Sequence, residues 1–215
     1  MRAASALSIL VFGLAIGCFG AADASASLIT LSTNSSDATP AAQLDGTLNF
    51  SVAGPTLTLT ATNTGVDFNI NGIWFNGTSA VTSLSLVSAT HSVNGDVTAA
   101  WTPVEFNSMV DGFGSFDFGL TDGVGATNPN IIHPGENVVF VLTITGVGVV
   151  DTDFVDPNGM GYLGAGKFVN GPDDPESPGD EDSAFGATVP EPATLALLAL
   201  GLGSLVVHGR RRREI

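Results

Sequence analysis

Alternation of apolar and polar residues, with a period of two, runs through the middle of this chain. In "TLNFSV" Leu48, Phe50 and Val52 share one face, and in "TLTLTA" Leu57, Leu59 and Ala61 alternate with threonines. "SLSLVS" offers Leu84 and Leu86, and "SFDFGL" offers Phe116, Phe118 and Leu120. "NVVFVLTITG" places Val138, Phe140, Leu142 and Ile144 on one face. Its other face, Val139, Val141 and Thr143, is apolar enough for a central strand. Turn signals such as "NG", "DG" and "PGE" separate the runs, and no long stretch here repeats every 3.6 residues. The pattern predicts an all-β domain over residues 27–170. We expect an antiparallel β-sandwich of eight or more strands, jelly-roll or immunoglobulin-like, large enough to bury a core without cross-links.

Both ends depart from that pattern. Arg2 precedes the apolar run "ALSILVFGLAIGCFG", and the small residues of "AADASAS" follow. A basic start, an apolar middle and a small-x-small exit describe a signal peptide over 1–26, helical in the membrane and cut by signal peptidase. Ala26 is the expected cut and Ala24 the alternative. "LAIGC" only loosely imitates a lipoprotein signal, because Ala15 stands where a larger aliphatic is usual. Cys18 is the single cysteine and lies inside the signal, so the mature domain is expected to fold without disulfides. At the other end, residues 171–188 ("GPDDPESPGDEDSAFGAT") are rich in proline, glycine and acid. They are expected to be a solvated, self-repelling tether.

The chain closes with "VPEPATLALLALGLGSLVVHGRRRREI". Pro190 and Pro192 bracket Glu191 behind Val189, and neither proline suits a helix interior, so the triplet should stay extended. The span expected over 193–208 is short: the 15 residues from Ala193 to Val207 would rise about 22 Å as a helix, against a hydrocarbon core of about 30 Å. Arg210, Arg211, Arg212 and Arg213 would stay on the cytoplasmic side and fix the orientation. The three parts, in this order over 189–215, closely resemble the PEP-CTERM sorting signal of Gram-negative bacteria. The resemblance implies recognition by an exosortase, a cut near Pro190–Pro192 and an inner-membrane intermediate. It further implies delivery to the cell surface or extracellular matrix, in association with exopolysaccharide and biofilm.

Charge narrows the partners. The 215-residue chain carries 21 acids and six bases. Residues 27–189 hold 18 of the acids against the single base Lys167, a net of −17. Such a body repels phosphate backbones, which excludes nucleic acid. Asp151, Asp153, Asp156 and Asn158 in "DTDFVDPNG" are closely spaced oxygen donors, a weak candidate Ca²⁺ site whose spacing does not follow the EF-hand loop. Trp74 and Trp101 are expected as buried packing, with sugar stacking the alternative, and Trp74, flanked by Ile73 and Phe75, looks more like core than Trp101 does. Asn34 and Asn76 open Asn-x-Ser/Thr sequons and are expected on exposed turns.

Catalysis finds no constellation. His91 and His133 are the histidines before the tail, and "GSFDFG" and "HPGE" match no nucleophile elbow or zinc motif. Glu105 paired with an Asp is a combination any acidic chain offers. The expected role is non-enzymatic and structural, with no cofactor beyond that Ca²⁺ candidate. A carbohydrate- or calcium-dependent binding module is the alternative, and a glycoside hydrolase a more distant one.

Overall fold

The computed structural model describes residues 26–34, 44–122, 129–171 and 184–188. Among these, twelve strands form: β1 (Ser27–Leu31), β2 (Thr33–Asn34), β3 (Gly46–Ala53), β4 (Thr56–Asn63), β5 (Asn69–Phe75), β6 (Val81–His91), β7 (Gly95–Asp96), β8 (Glu105–Val110), β9 (Gly114–Thr121), β10 (Asn137–Gly146), β11 (Gly164–Val169) and β12 (Ala184–Thr188). One sheet runs β1-β3-β4-β10-β6-β7, the other β2-β12-β11-β5-β9-β8, and all the strand pairings are antiparallel.

The alternation predicted from sequence sets the core. Leu48, Phe50, Leu57, Leu59, Ala61, Val138, Phe140 and Leu142 of the first sheet are fully buried. They share a cluster with Ile70, Ile73, Phe75, Phe118, Leu120 and Phe168 of the second. β10 lies between β4 and β6, with Phe140 opposite both Leu59 and Ala89, as its doubly apolar sequence demands. Phe50 meets Phe75 edge-on at 5.2 Å and stacks on Phe154 at 5.7 Å. Each such pair contributes about 0.5–1.5 kcal/mol beyond its area burial.

The second sheet buries residues on both faces, which hid β5 from a period-two reading: "NINGIWF" is buried from Ile70 to Phe75. Ile73 and Phe75 point to the shared core, whereas Trp74 joins Val110, Phe113, Phe116, Ala165 and Ala187 in a smaller cluster. The indole has room because Gly72 and Gly119 flank it. A Cβ on either would stand 2.5 Å from the ring.

One boundary differs from expectation. Residues 184–188, assigned from sequence to the tether, form β12, paired along β11 and at Gly186 and Ala187 with β2. The acids end at Asp182, and "AFGAT" then supplies small and apolar residues: Ala187 is buried and Phe185 packs 6.0 Å from Trp74. Residues 172–183, all of the expected signal helix (1–26) but Ala26, and the expected span (193–208) lie outside the described residues. Among the described residues, no helix is long and apolar enough to cross a membrane.

Candidate functional site

The acidic loop proposed for Ca²⁺ follows β10. Asp151–Phe154 wind into one 3-10 turn, and its donors serve separate partners. Buried Asp151 accepts the Val52 N–H at 2.8 Å through Oδ1. Asp153 accepts the Thr78 hydroxyl at 2.6 Å through Oδ1 and the Val150 N–H at 2.8 Å through Oδ2. The Asp156 carbonyl accepts from Asn76 at 3.1 Å. Asn158 donates from Nδ2 to Phe113 O and Ser115 O, and its Oδ1 accepts the Met160 and Tyr162 N–H groups. Charge in this loop therefore braces the fold. The three carboxylates do not converge as a ligand group among the described residues.

A different trio does converge: donor atoms of His91, His133 and Glu136 lie within 4.8 Å of one another. Pro134 and Gly135 form the turn that brings two of them together, closed by Glu136 N–H on His133 O at 2.9 Å, with Gly135 at φ 80°. Glu136 Oε2 accepts the His133 N–H at 3.1 Å, lies 2.8 Å from His133 Nδ1 and lies 3.3 Å from His91 Nε2. Burial alone would raise the Glu136 carboxyl, but the His133 hydrogen bonds and the nearby imidazoles hold it below its ordinary value.

His91 decides what this trio can do. Its Nδ1 accepts the Val93 and Asn94 N–H groups at 3.1 and 3.3 Å, which places the neutral ring's proton on Nε2. That nitrogen faces Ile131 O at 3.2 Å and Glu136. A metal on Nε2 would need the proton moved to Nδ1, against two N–H donors. The chemistry of the set therefore suits a hydrogen-bonded clamp between the end of β6 and the start of β10. "HPGE" carried the signal for half of this clamp, whereas nothing near His91 in sequence pointed to a partner 45 residues away.

Neither tryptophan is a sugar platform. Trp74 is 6% exposed and Trp101 3%, and Trp101 packs edge-on against Phe140 at 4.8 Å in the main core. Buried packing, the expected reading, holds for both rings, Trp101 in the main core and Trp74 in the smaller cluster. Asn76 is buried too, correcting its assignment to an exposed turn. Its Nδ2 bonds the carbonyls of Asp156 and Tyr162, and its Oδ1 accepts the Asp117 N–H. Asn34 lies in β2, paired with Gly186.

The sorting residues Val189, Pro190, Glu191, Pro192 and Arg210–Arg213, and the cleavage residue Ala24, lie outside the described residues, whereas Ala26, the expected cut, is exposed just before the first strand. What borders them is clear. β1 starts at Ser27, directly after the expected signal cut, and β12 ends at Thr188, directly before Val189. The fold and its borders thus define a β-sheet domain that passes straight into a sorting tail. Residues 188–213 match the PEP-CTERM protein-sorting motif. The chain carries this signal and is an exported, surface-sorted exosortase substrate of the Gram-negative type. No curated protein and no solved structure matches the chain.

Proposed function

We propose that the β domain is a non-enzymatic structural component of the extracellular matrix, held in exopolysaccharide or biofilm. The chain would enter the export route by its signal peptide, rest in the inner membrane through 193–208, and lose its tail near Pro190–Pro192. The observation that carries this reading is the sorting motif, which begins at the last residue of β12. Its net charge of −17 between residues 27 and 189 favours neutral polymers or cations over nucleic acid and anionic lipid. The carboxylates of Asp151 and Asp153 and both histidines are engaged in internal bonds, which supports a structural over a calcium-dependent or hydrolytic role.

Mass spectrometry of surface material from cells with and without an exosortase tests the reading. We expect a surface form lacking Arg210–Arg213 only where the enzyme is present. An intact arginine tail on the surface protein of exosortase-containing cells would overturn it. Release of reducing sugars from glycans by the purified protein would replace the structural role with a hydrolase.

A further inference from the structure

The two sheets leave a groove between β6 on one side and β8 and β9 on the other. It has a volume of about 280 Å³ and is bounded by the loop from Gly77 to Ser79, by Val81 and Thr82, and by Phe106, Asn107, Asp117 and Phe118. Phe118 is buried, whereas Phe106 leans edge-on against it at 5.9 Å and remains 54% exposed. An aromatic ring half out of the fold is thus held at a fixed angle, which a loose surface phenylalanine would lack.

Polar groups gather around that ring. Asp117 is exposed, and Gly77 N–H on its Oδ2 at 3.1 Å fixes the carboxylate. Asn107 has φ 53°, in the left-handed region, in the middle of edge strand β8. Asparagine tolerates this conformation better than most residues, yet such backbone costs stability and gathers at binding sites. Neither the Asn107 carboxamide nor the Ser79 hydroxyl spends its hydrogen bonds on the described residues. The lining has no cation, and Asp117 is its one charge.

A small, open groove with one apolar wall and a few convergent acceptors and donors takes a ligand with an apolar face and a rim of hydroxyls. We propose that this groove binds a neutral pyranose residue of a glycan, stacked on Phe106 with its hydroxyls held by Asp117, Asn107 and Ser79. The volume fits a single ring, and the negative charge of Asp117 and of the whole body disfavours uronic or sulfated sugars. The ligand class follows from the lining. The matrix reading adds only that such a glycan is at hand.

Titration of the purified secreted protein with methyl glycosides of neutral hexoses and their short oligomers, followed by calorimetry or ligand-observed NMR, tests this. We expect millimolar binding by one of them, reduced about tenfold or more by Phe106→Ala. Asn107→Gly separates binding from folding: it relieves the left-handed backbone, so the protein should melt no earlier than wild type while affinity falls. Val66→Thr, on the exposed β4–β5 turn, should leave affinity unchanged. Absence of binding by every glycoside at about 10 mM overturns the proposal. So does binding that survives both Phe106→Ala and Asn107→Gly. Either result leaves sorting untouched, and a sorting failure in cells would leave these titrations unchanged.

Discussion

Three asparagines hold this fold together by offering a donor and an acceptor on one short side chain. Fully buried Asn63 bonds Phe68 O at 2.7 Å and Ile132 O at 2.9 Å, and accepts the Gly65 N–H at 3.0 Å. Asn76 and Asn158 tie the acidic loop to β9 and its preceding turn in the same way. Asn76→Ala removes the partner of the Asp117 N–H and of the Asp156 carbonyl, while Tyr162 O keeps the Asn158 N–H at 2.9 Å; the loss should cost about 1–3 kcal/mol. Urea denaturation would show this as a lowered midpoint with an unchanged slope. A midpoint equal to wild type would mean that water replaces all three bonds.

Glu136 offers a test with a sign. Its folded carboxyl is held below the ordinary value of 4.5, chiefly by His133 against the opposing effect of burial. A depressed carboxyl contributes stability that is present above the unfolded value and is lost as pH falls through the folded one. Wild type should therefore exceed Glu136→Gln in stability at pH 7, and the gap should close progressively below about pH 4.5. Denaturation midpoints of both proteins across that range check it. A gap independent of pH would assign the difference to packing.

At the scale of elements, legibility followed the period of the pattern. β3, β4 and β10 each present one apolar face, and the alternation named the apolar residues buried there, though not Asn63. In β9, Phe118 and Leu120 join the main core as named, while Phe116 packs in the smaller cluster with Trp74. β5 was invisible because its second face is also covered, by a tryptophan seated between two glycines. β8 was invisible for the opposite reason: it is an edge strand, exposed from Glu105 to Asn107. β12 was absorbed into an acidic stretch by composition, although its five residues carry no charge. The candidate site fared worse, since hydrogen bonds such as Asn76 to Tyr162 depend on topology that no local spacing encodes.

The β12 assignment makes a prediction that a tether would not. Ending the chain at Ser183 should bare the edge of β11 and uncover Trp74, losing the Phe185 contact and the burial of Ala187. The loss of one large packed side chain alone is worth about 3 kcal/mol. The truncated protein should melt earlier, and acrylamide should quench Trp74 fluorescence, read in a Trp101→Phe background. In the intact protein both indoles should quench poorly. Unchanged melting and quenching after truncation would return 184–188 to the linker.

For the molecule as a whole, the expected signal cut precedes β1 in the first sheet, whereas the sorting motif follows β12 in the second, where β12 pairs with β2. Val189 alone separates Thr188 from Pro190, so the folded domain stands within a residue or two of the triplet we propose as the exosortase cut. A fully extended residue spans only about 3.3–3.6 Å, far less than the thickness of two packed sheets, about 10 Å between their mid-planes alone. The enzyme must therefore either accommodate the sandwich at its entrance or act on a chain whose last strand has left the sheet. Both routes make the distance between strand and triplet a control on processing. Ten Gly/Ser residues inserted between Thr188 and Val189 would add about 17 Å of mean reach without altering a sheet hydrogen bond. The domain's melting temperature should stay the same, while pulse-chase labelling should show faster conversion of the precursor to the tail-less form. Conversion at the wild-type rate would mean that the sheet's closeness imposes no barrier, and that the strand's position before the signal serves folding alone.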